Sequence, residues 1–128
     1  VSRRTDRLGR RGEWAALALL TLKGYRLRHR GWTCPLGELD LVMSRGRTVV
    51  IVEVKTRSGP DFGGAAAAVH RRKQDRLARV TAAYLSRFEL WDRATRFDVV
   101  TIERRGGLLP WRLSHLRNVI RPDLGRTL

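Results

Sequence analysis

The chain has 128 residues, enough to bury one core but not two, so a single domain is expected. Its hydrophobic fraction of 42% is that of a folded protein, whereas 27 basic against 12 acidic residues give a net charge of +15 and a pI near 11.7. That imbalance implies a polyanionic partner, nucleic acid before an anionic membrane; no apolar run approaches membrane-spanning length, and the single cysteine, Cys34, excludes an intramolecular disulfide.

Residues 1–11 read as a flexible basic arm, with Arg3, Arg4, Arg7, Arg10 and Arg11 against Asp6. It is either a solvated tail or a phosphate-contacting arm. No small-residue cleavage site follows it, so no signal peptide is expected, and a reducing cytoplasm fits the lone cysteine. Glu13–Lys23 reads as a helix stopped by Gly24, burying Trp14, Leu17, Ala18 and Leu20 or Thr21. Tyr25–Trp32 alternates like a half-exposed edge strand, and Thr33-Cys34-Pro35 ends it. Leu39–Ser44 and Val49–Thr56 are strand-like. Ser58–Gly64 is a loop, and Ala65–Val69 is loop or an early helical turn. His70–Phe88 reads as a long helix, because Leu77, Val80, Tyr84 and Phe88 form one apolar stripe. Its arginines form either a solvated face or a face that tracks a phosphate backbone. Arg96–Glu103 is a strand in which Asp98 is expected to pair with a nearby arginine. Arg104–Gly107 is a turn. Leu108–Ile120 is strand, helix or both, and 121–128 is a tail, leaving 12–120 as the domain. The four tryptophans share no regular spacing and read as packing residues ahead of base-stacking platforms.

The chemistry concentrates in the two strand-like segments after Pro35. A two-residue turn with Gly46 first sets Arg45 opposite Thr48. Counting back, Asp40 then faces Glu53, and Glu38 faces Lys55, on one side of the hairpin. Leu39, Leu41 and Met43 with Val50, Val52 and Val54 make the other side dry. Two carboxylates roughly 5 Å apart repel, so one keeps a proton unless a cation joins them. Hard oxygen donors suit Mg²⁺ or Mn²⁺, with Asp40 and Glu53 as the metal ligands. The alternative is a salt-bridged hairpin, Glu38 and Glu53 with Lys55, on a solvated face. Residues 36–63 hold four acids and four bases, a neutral patch in a basic protein.

Only Lys23, Lys55 and Lys73 are lysine among the basic residues; the rest are arginine. Lysine is a compact charge with a movable pKa, and arginine is neither. Beside a metal, Lys55 would orient an attacking water or stabilise a charged transition state.

Gly37-Glu38-Leu39-Asp40-Leu41, Val52-Glu53-Val54-Lys55-Thr56-Arg57, Arg72-Lys73-Gln74 and Arg96-Phe97-Asp98-Val99-Val100 resemble the motifs of the UPF0102 (YraN-type) family, as do Gly12-Glu13 and Gly24-Tyr25 upstream. That family is similar to the restriction-endonuclease-like superfamily, archaeal Holliday junction resolvases above all. The resemblance implies an α/β, restriction-endonuclease-like core: a mixed central β-sheet with an antiparallel hairpin, flanked by helices. It implies Asp40, Glu53 and Lys55 as the catalytic core, Glu13 completing the acids and Gln74 as a polar helper. Leu39 stands where the superfamily's signature has proline. The expected activity is metal-dependent nuclease action of the PD-(D/E)xK type on DNA rather than RNA, branched or junction DNA included. Arg71, Arg72, Lys73, Arg76 and Arg79 would hold the backbone, and a symmetric junction would favour a homodimer. The alternatives are a non-catalytic nucleic-acid-binding protein on the same fold, or an assembly factor docking a protein through exposed tryptophans.

Overall fold

The computed structural model describes residues 3–58, 71–104, 110–120 and 122–125. Among the described residues seven elements follow one another: α1 (Arg3–Leu22), β1 (Arg26–Cys34), β2 (Gly37–Arg45), β3 (Thr48–Ser58), α2 (Arg71–Arg87), β4 (Thr95–Arg104) and β5 (Trp111–Leu116). The expected loop beyond Ser58, the Ala65–Val69 segment, the turn after Arg104 and the end of the tail lie outside the described residues.

The five strands form one mixed sheet in the order β1-β2-β3-β4-β5. All neighbours are antiparallel except β3 and β4, which run parallel. A parallel pair needs a crossover connection, and α2 lies within it. The two helices pack on opposite faces of the sheet. Beneath α2, Leu77, Val80, Tyr84 and Leu85 meet Leu39, Val42, Val49, Ile51, Phe97 and Val99. Beneath α1, Ala16 and Leu20 meet Tyr25, Leu41, Met43, Val50, Val52, Val100 and Ile102.

The stripe expected on α2 is the face it buries, with Phe88 partly covered at its end. The α1 expectation needs correction. The helix starts at Arg3, so the segment expected as a flexible arm continues the helix axis. Arginine and leucine sustain a helix, and no proline interrupts this one. Its inward side is Gly12, Ala16 and Leu20, spaced four apart, while Trp14 is 55% exposed and Ala18 and Thr21 face solvent. Small residues on that line let α1 sit low on the sheet, and the helical phase turns Trp14 to the rim.

The hairpin has the expected register. Arg45 pairs with Thr48, and the ladder runs to Leu41↔Val52. Gly46 supplies the positive φ of +59° that this turn requires. The expectation of one dry and one charged face does not hold along its length, because a helix covers each side. Val42, Val49 and Ile51, on the side expected to be charged, are core beneath α2. Leu39 joins them instead of Leu41, so the in-and-out alternation breaks at Asp40.

The break has a topological cause. Toward its start, β2 stays paired with β1 through Trp32↔Leu39, Thr33↔Glu38 and Cys34↔Gly37. Toward its end, β3 stays paired with β4 as far as Ser58↔Arg104. The β2–β3 ladder stops between them, so Asp40 and Glu53 stand one step beyond it. The sheet parts there.

Asp98 is fully buried on β4 and takes four hydrogen bonds. Arg96 donates through Nε at 2.9 Å and through a terminal nitrogen at 2.8 Å. His115 Nε2 lies at 2.7 Å, and the Asn118 N–H donates at 2.8 Å. The arginine pairing expected from sequence is therefore present. Burial alone would raise the Asp98 pKa, but the bonds from Arg96, Asn118 and His115 outweigh it and hold the carboxyl below its usual range. A carboxylate only accepts, so His115 carries its proton on Nε2. Its Nδ1 then accepts from Lys23 Nζ at 2.7 Å, which ties the end of α1 to β5.

Removing the carboxylate strands a guanidinium, an imidazole N–H and a backbone N–H. Asp98→Ala is expected to lower stability by about 3–5 kcal/mol, read as a shifted midpoint in urea denaturation.

Candidate active site

Where β2 and β3 part, a cleft of about 370 Å³ opens between the sheet and α2. Glu38 and Asp40 enter it from β2, Glu53, Val54 and Lys55 from β3, and Lys73 and Arg76 from α2. Without a ladder partner on β2, the Val54 N–H donates to Asp40 Oδ2 at 2.9 Å. A side chain thus does the work of the missing strand pairing and fixes the aspartate at the mouth of the gap.

Glu13 reaches the same region from α1. One carboxylate oxygen each from Glu13, Glu38 and Asp40 lie within 4.8 Å of one another. Gly12, just before Glu13, explains the approach. A Cβ there would stand 2.7 Å from Thr56 Oγ1 and 3.3 Å from Ile102 Cδ1, so a larger residue would force those side chains to shift, and glycine lets α1 ride this close to β3 and β4. Arg30 on β1 steadies Glu13 from the far side, with 3.7 Å between guanidinium and carboxylate.

Three groups in the cleft hold protons unusually. Burial pushes the Asp40 carboxyl up, against the opposing effects of the Val54 N–H, Lys55 and Lys73. Burial, helped by the charge of Asp40, raises Glu53 from 4.5 to about 7. Burial also lowers Lys55, and the neighbouring Lys73 lowers it further. The acids thus resist losing protons and Lys55 resists gaining one, which marks a polar cluster drawn partly out of water.

The structure brings together Asp40, Glu53 and Lys55 in the cleft and sets Glu13, the further acid that the resemblance implied, beside Asp40. Gln74 is half-buried on α2 but not part of the cleft wall. Arg76 lines the cleft, and Arg79 is exposed further along the helix. Arg71 and Arg72 open α2, and their side chains lie outside the described residues. Two residues have larger parts than the sequence gave them. Glu38 was set against Lys55, yet it belongs with Glu13 and Asp40; its i, i+2 spacing from Asp40 was the available signal. Lys73 was read only as a backbone contact, yet it is a neighbour of Lys55, and its retention as lysine was the clue.

Fold and site together define an α/β protein whose mixed sheet parts around a cluster of acids and lysines. The chain belongs to the family described as "Uncharacterised protein family UPF0102", whose profile matches residues 12–102 and so takes in every cleft residue named above. A UPF0102 protein of Moorella thermoacetica is 47% identical over 96 residues, 75% of this chain and 80% of that protein. One from Frankia alni is 44% identical over 115 residues, 90% and 95% of the two chains. One from Phocaeicola vulgatus is 36% identical over 119 residues, 93% and 96%.

Glu53 holds its proton more tightly folded than unfolded. Its contribution to stability is therefore complete below about pH 4.5 and lost as pH rises through about 7, an effect on the order of a few kcal/mol. Urea denaturation across that range in EDTA is expected to show the loss in the native protein and a flatter profile in Glu53→Gln.

Proposed function

We propose that this protein is a divalent-metal-dependent nuclease that hydrolyses phosphodiester bonds in DNA. The observation that carries the reading is the cleft itself: carboxylates with raised pKa values beside two lysines, in a chain of net charge +15. The lysines offset the burial and mutual repulsion of these acids only in part, and a cation bound between them would let them ionise together. The donors are all carboxylate oxygens, which suit Mg²⁺ or Mn²⁺ better than softer metals. The chemistry of the donor set therefore fits such an ion, with Asp40 and Glu53 as its holders and Glu13 and Glu38 completing the acidic wall. The ion would supply a bound water of lowered pKa and offset charge on the scissile phosphate.

The chain's own groups divide the remaining work. Lys55, whose proton is weakly held, orients the attacking water and exchanges a proton with it. Lys73 offers its charge to the phosphoryl oxygens as negative charge builds on them. Arg76 and Arg79 contact the flanking backbone, which makes binding steeply salt-dependent without setting sequence preference. The acid, gap, then Glu53-x-Lys55 order resembles the restriction-endonuclease-like nucleases and supports the same reading.

The test is a panel of labelled single-stranded, duplex and branched DNAs, with RNA, incubated with Mg²⁺, Mn²⁺ or EDTA. Metal-dependent cutting is expected on DNA. Asp40→Ala and Glu53→Ala should each reduce it at least about 100-fold while binding in EDTA persists. Full cutting by both variants would sink the reading. Binding without cutting by the native protein would leave a nucleic-acid-binding protein on the same fold.

A further inference from the structure

Trp14 follows Glu13 directly, and it is 55% exposed. The Arg30 guanidinium lies over its ring, 4.3 Å from the centroid, and the same guanidinium stands 3.7 Å from the Glu13 carboxylate. One arginine therefore spans the indole and the acid cluster, so the two are separated by little more than its own width. Arg30 covers one face of the ring. The high exposure that remains leaves the other side open to solvent. A tryptophan needed for packing would be turned inward, as Ala16 and Leu20 are on the same helix.

We infer that Trp14 and Arg30 form a stacking platform for one unpaired nucleobase next to the cleft. The inference rests on the nucleic-acid reading above and narrows its substrate class to strands that present an unpaired nucleotide beside the cut. An indole offers a flat π-face that any base can use, and an arginine stacked on it adds charge for the adjoining phosphate. A base within a duplex has both faces covered by its neighbours and cannot use the platform without leaving the stack. A base seated on Trp14 leaves its own phosphate near Glu13, Glu38 and Asp40, because Arg30 joins the two places.

The other exposed tryptophans fit this role less well. The Trp91 Nε1–H donates to Ser86 Oγ at 2.8 Å on the link between α2 and β4, and Trp111 borders an apolar groove with Ile102 and Leu113. Neither is adjacent to the acid cluster in the chain.

The experiment compares binding of one oligonucleotide sequence, single-stranded and fully paired, by the full chain in EDTA, so that cleavage plays no part. Native protein is set beside Trp14→Ala, Trp14→Phe and Trp91→Ala, with thermal melting to confirm that each variant folds. Trp14→Ala is expected to weaken single-strand binding between about 5-fold and about 150-fold, the range of one lost base–aromatic stack, and to leave duplex binding nearly unchanged. Trp14→Phe should keep most of the affinity, and Trp91→Ala should keep all of it. Equal losses on both substrates, or no loss on the single strand, would overturn the platform. Because cutting is not measured, its failure leaves the nuclease reading standing, and a protein that never cuts can still carry it.

Discussion

The arrangement turns on one hydrogen bond, from the Val54 N–H to Asp40 Oδ2. At that point β2 follows β1 and β3 follows β4, so the central ladder of the sheet stops. A buried backbone N–H cannot be left without an acceptor at small cost, and strand pairing no longer supplies one. Asp40 supplies it, and in doing so is held at the edge of the gap. The gap gives the cleft its room, and α2, lying in the parallel crossover, closes it from above. The geometry of the cleft follows from a sheet that parts between two strands that each keep their outer partner.

The same gap sets the electrostatics. The cleft draws Asp40, Glu53 and Lys55 partly out of water, where burial disfavours each charge, and the charge of Asp40 disfavours that of Glu53. Two lysines offset this only in part, since Lys73 also repels the proton on Lys55. Contrast Asp98, fully buried yet met by Arg96, His115 and a backbone N–H, and so held ionised. One buried carboxylate is satisfied and ties strands together. The others are under-satisfied and face an opening. That difference separates a structural ion pair from the acid cluster of the cleft.

The parts legible in the sequence were those governed by local rules. The hairpin register followed from Gly46 and from side-chain period, and the α2 face followed from the spacing of Leu77, Val80 and Tyr84. Asp40, Glu53 and Lys55 were found because charges stood in strand-like surroundings. What the sequence concealed depends on partners distant in the chain. Trp14 reads as core on hydrophobicity alone, yet Gly12, Ala16 and Leu20 take the inward line, where the two small residues allow close packing and Leu20 fills the core. The hairpin's charged face was extended too far, because nothing local says that α2 will cover Val42, Val49 and Ile51. Glu38 was misassigned because strand counting assumes a ladder that continues, and this one stops at Leu41.

The first strand carries a consequence of its own. β1 lies at the outer edge of the sheet, its register with β2 shifts between Leu27 and His29, and it bears Arg26, Arg28 and Arg30. An irregular edge studded with like charges resists pairing with the same edge of another molecule. A second copy would meet repulsion along the first half of the strand, where Arg26, Arg28 and Arg30 stand. The protein is thereby guarded against open-ended sheet growth on this side. Any symmetric pairing of two copies must be built through another surface.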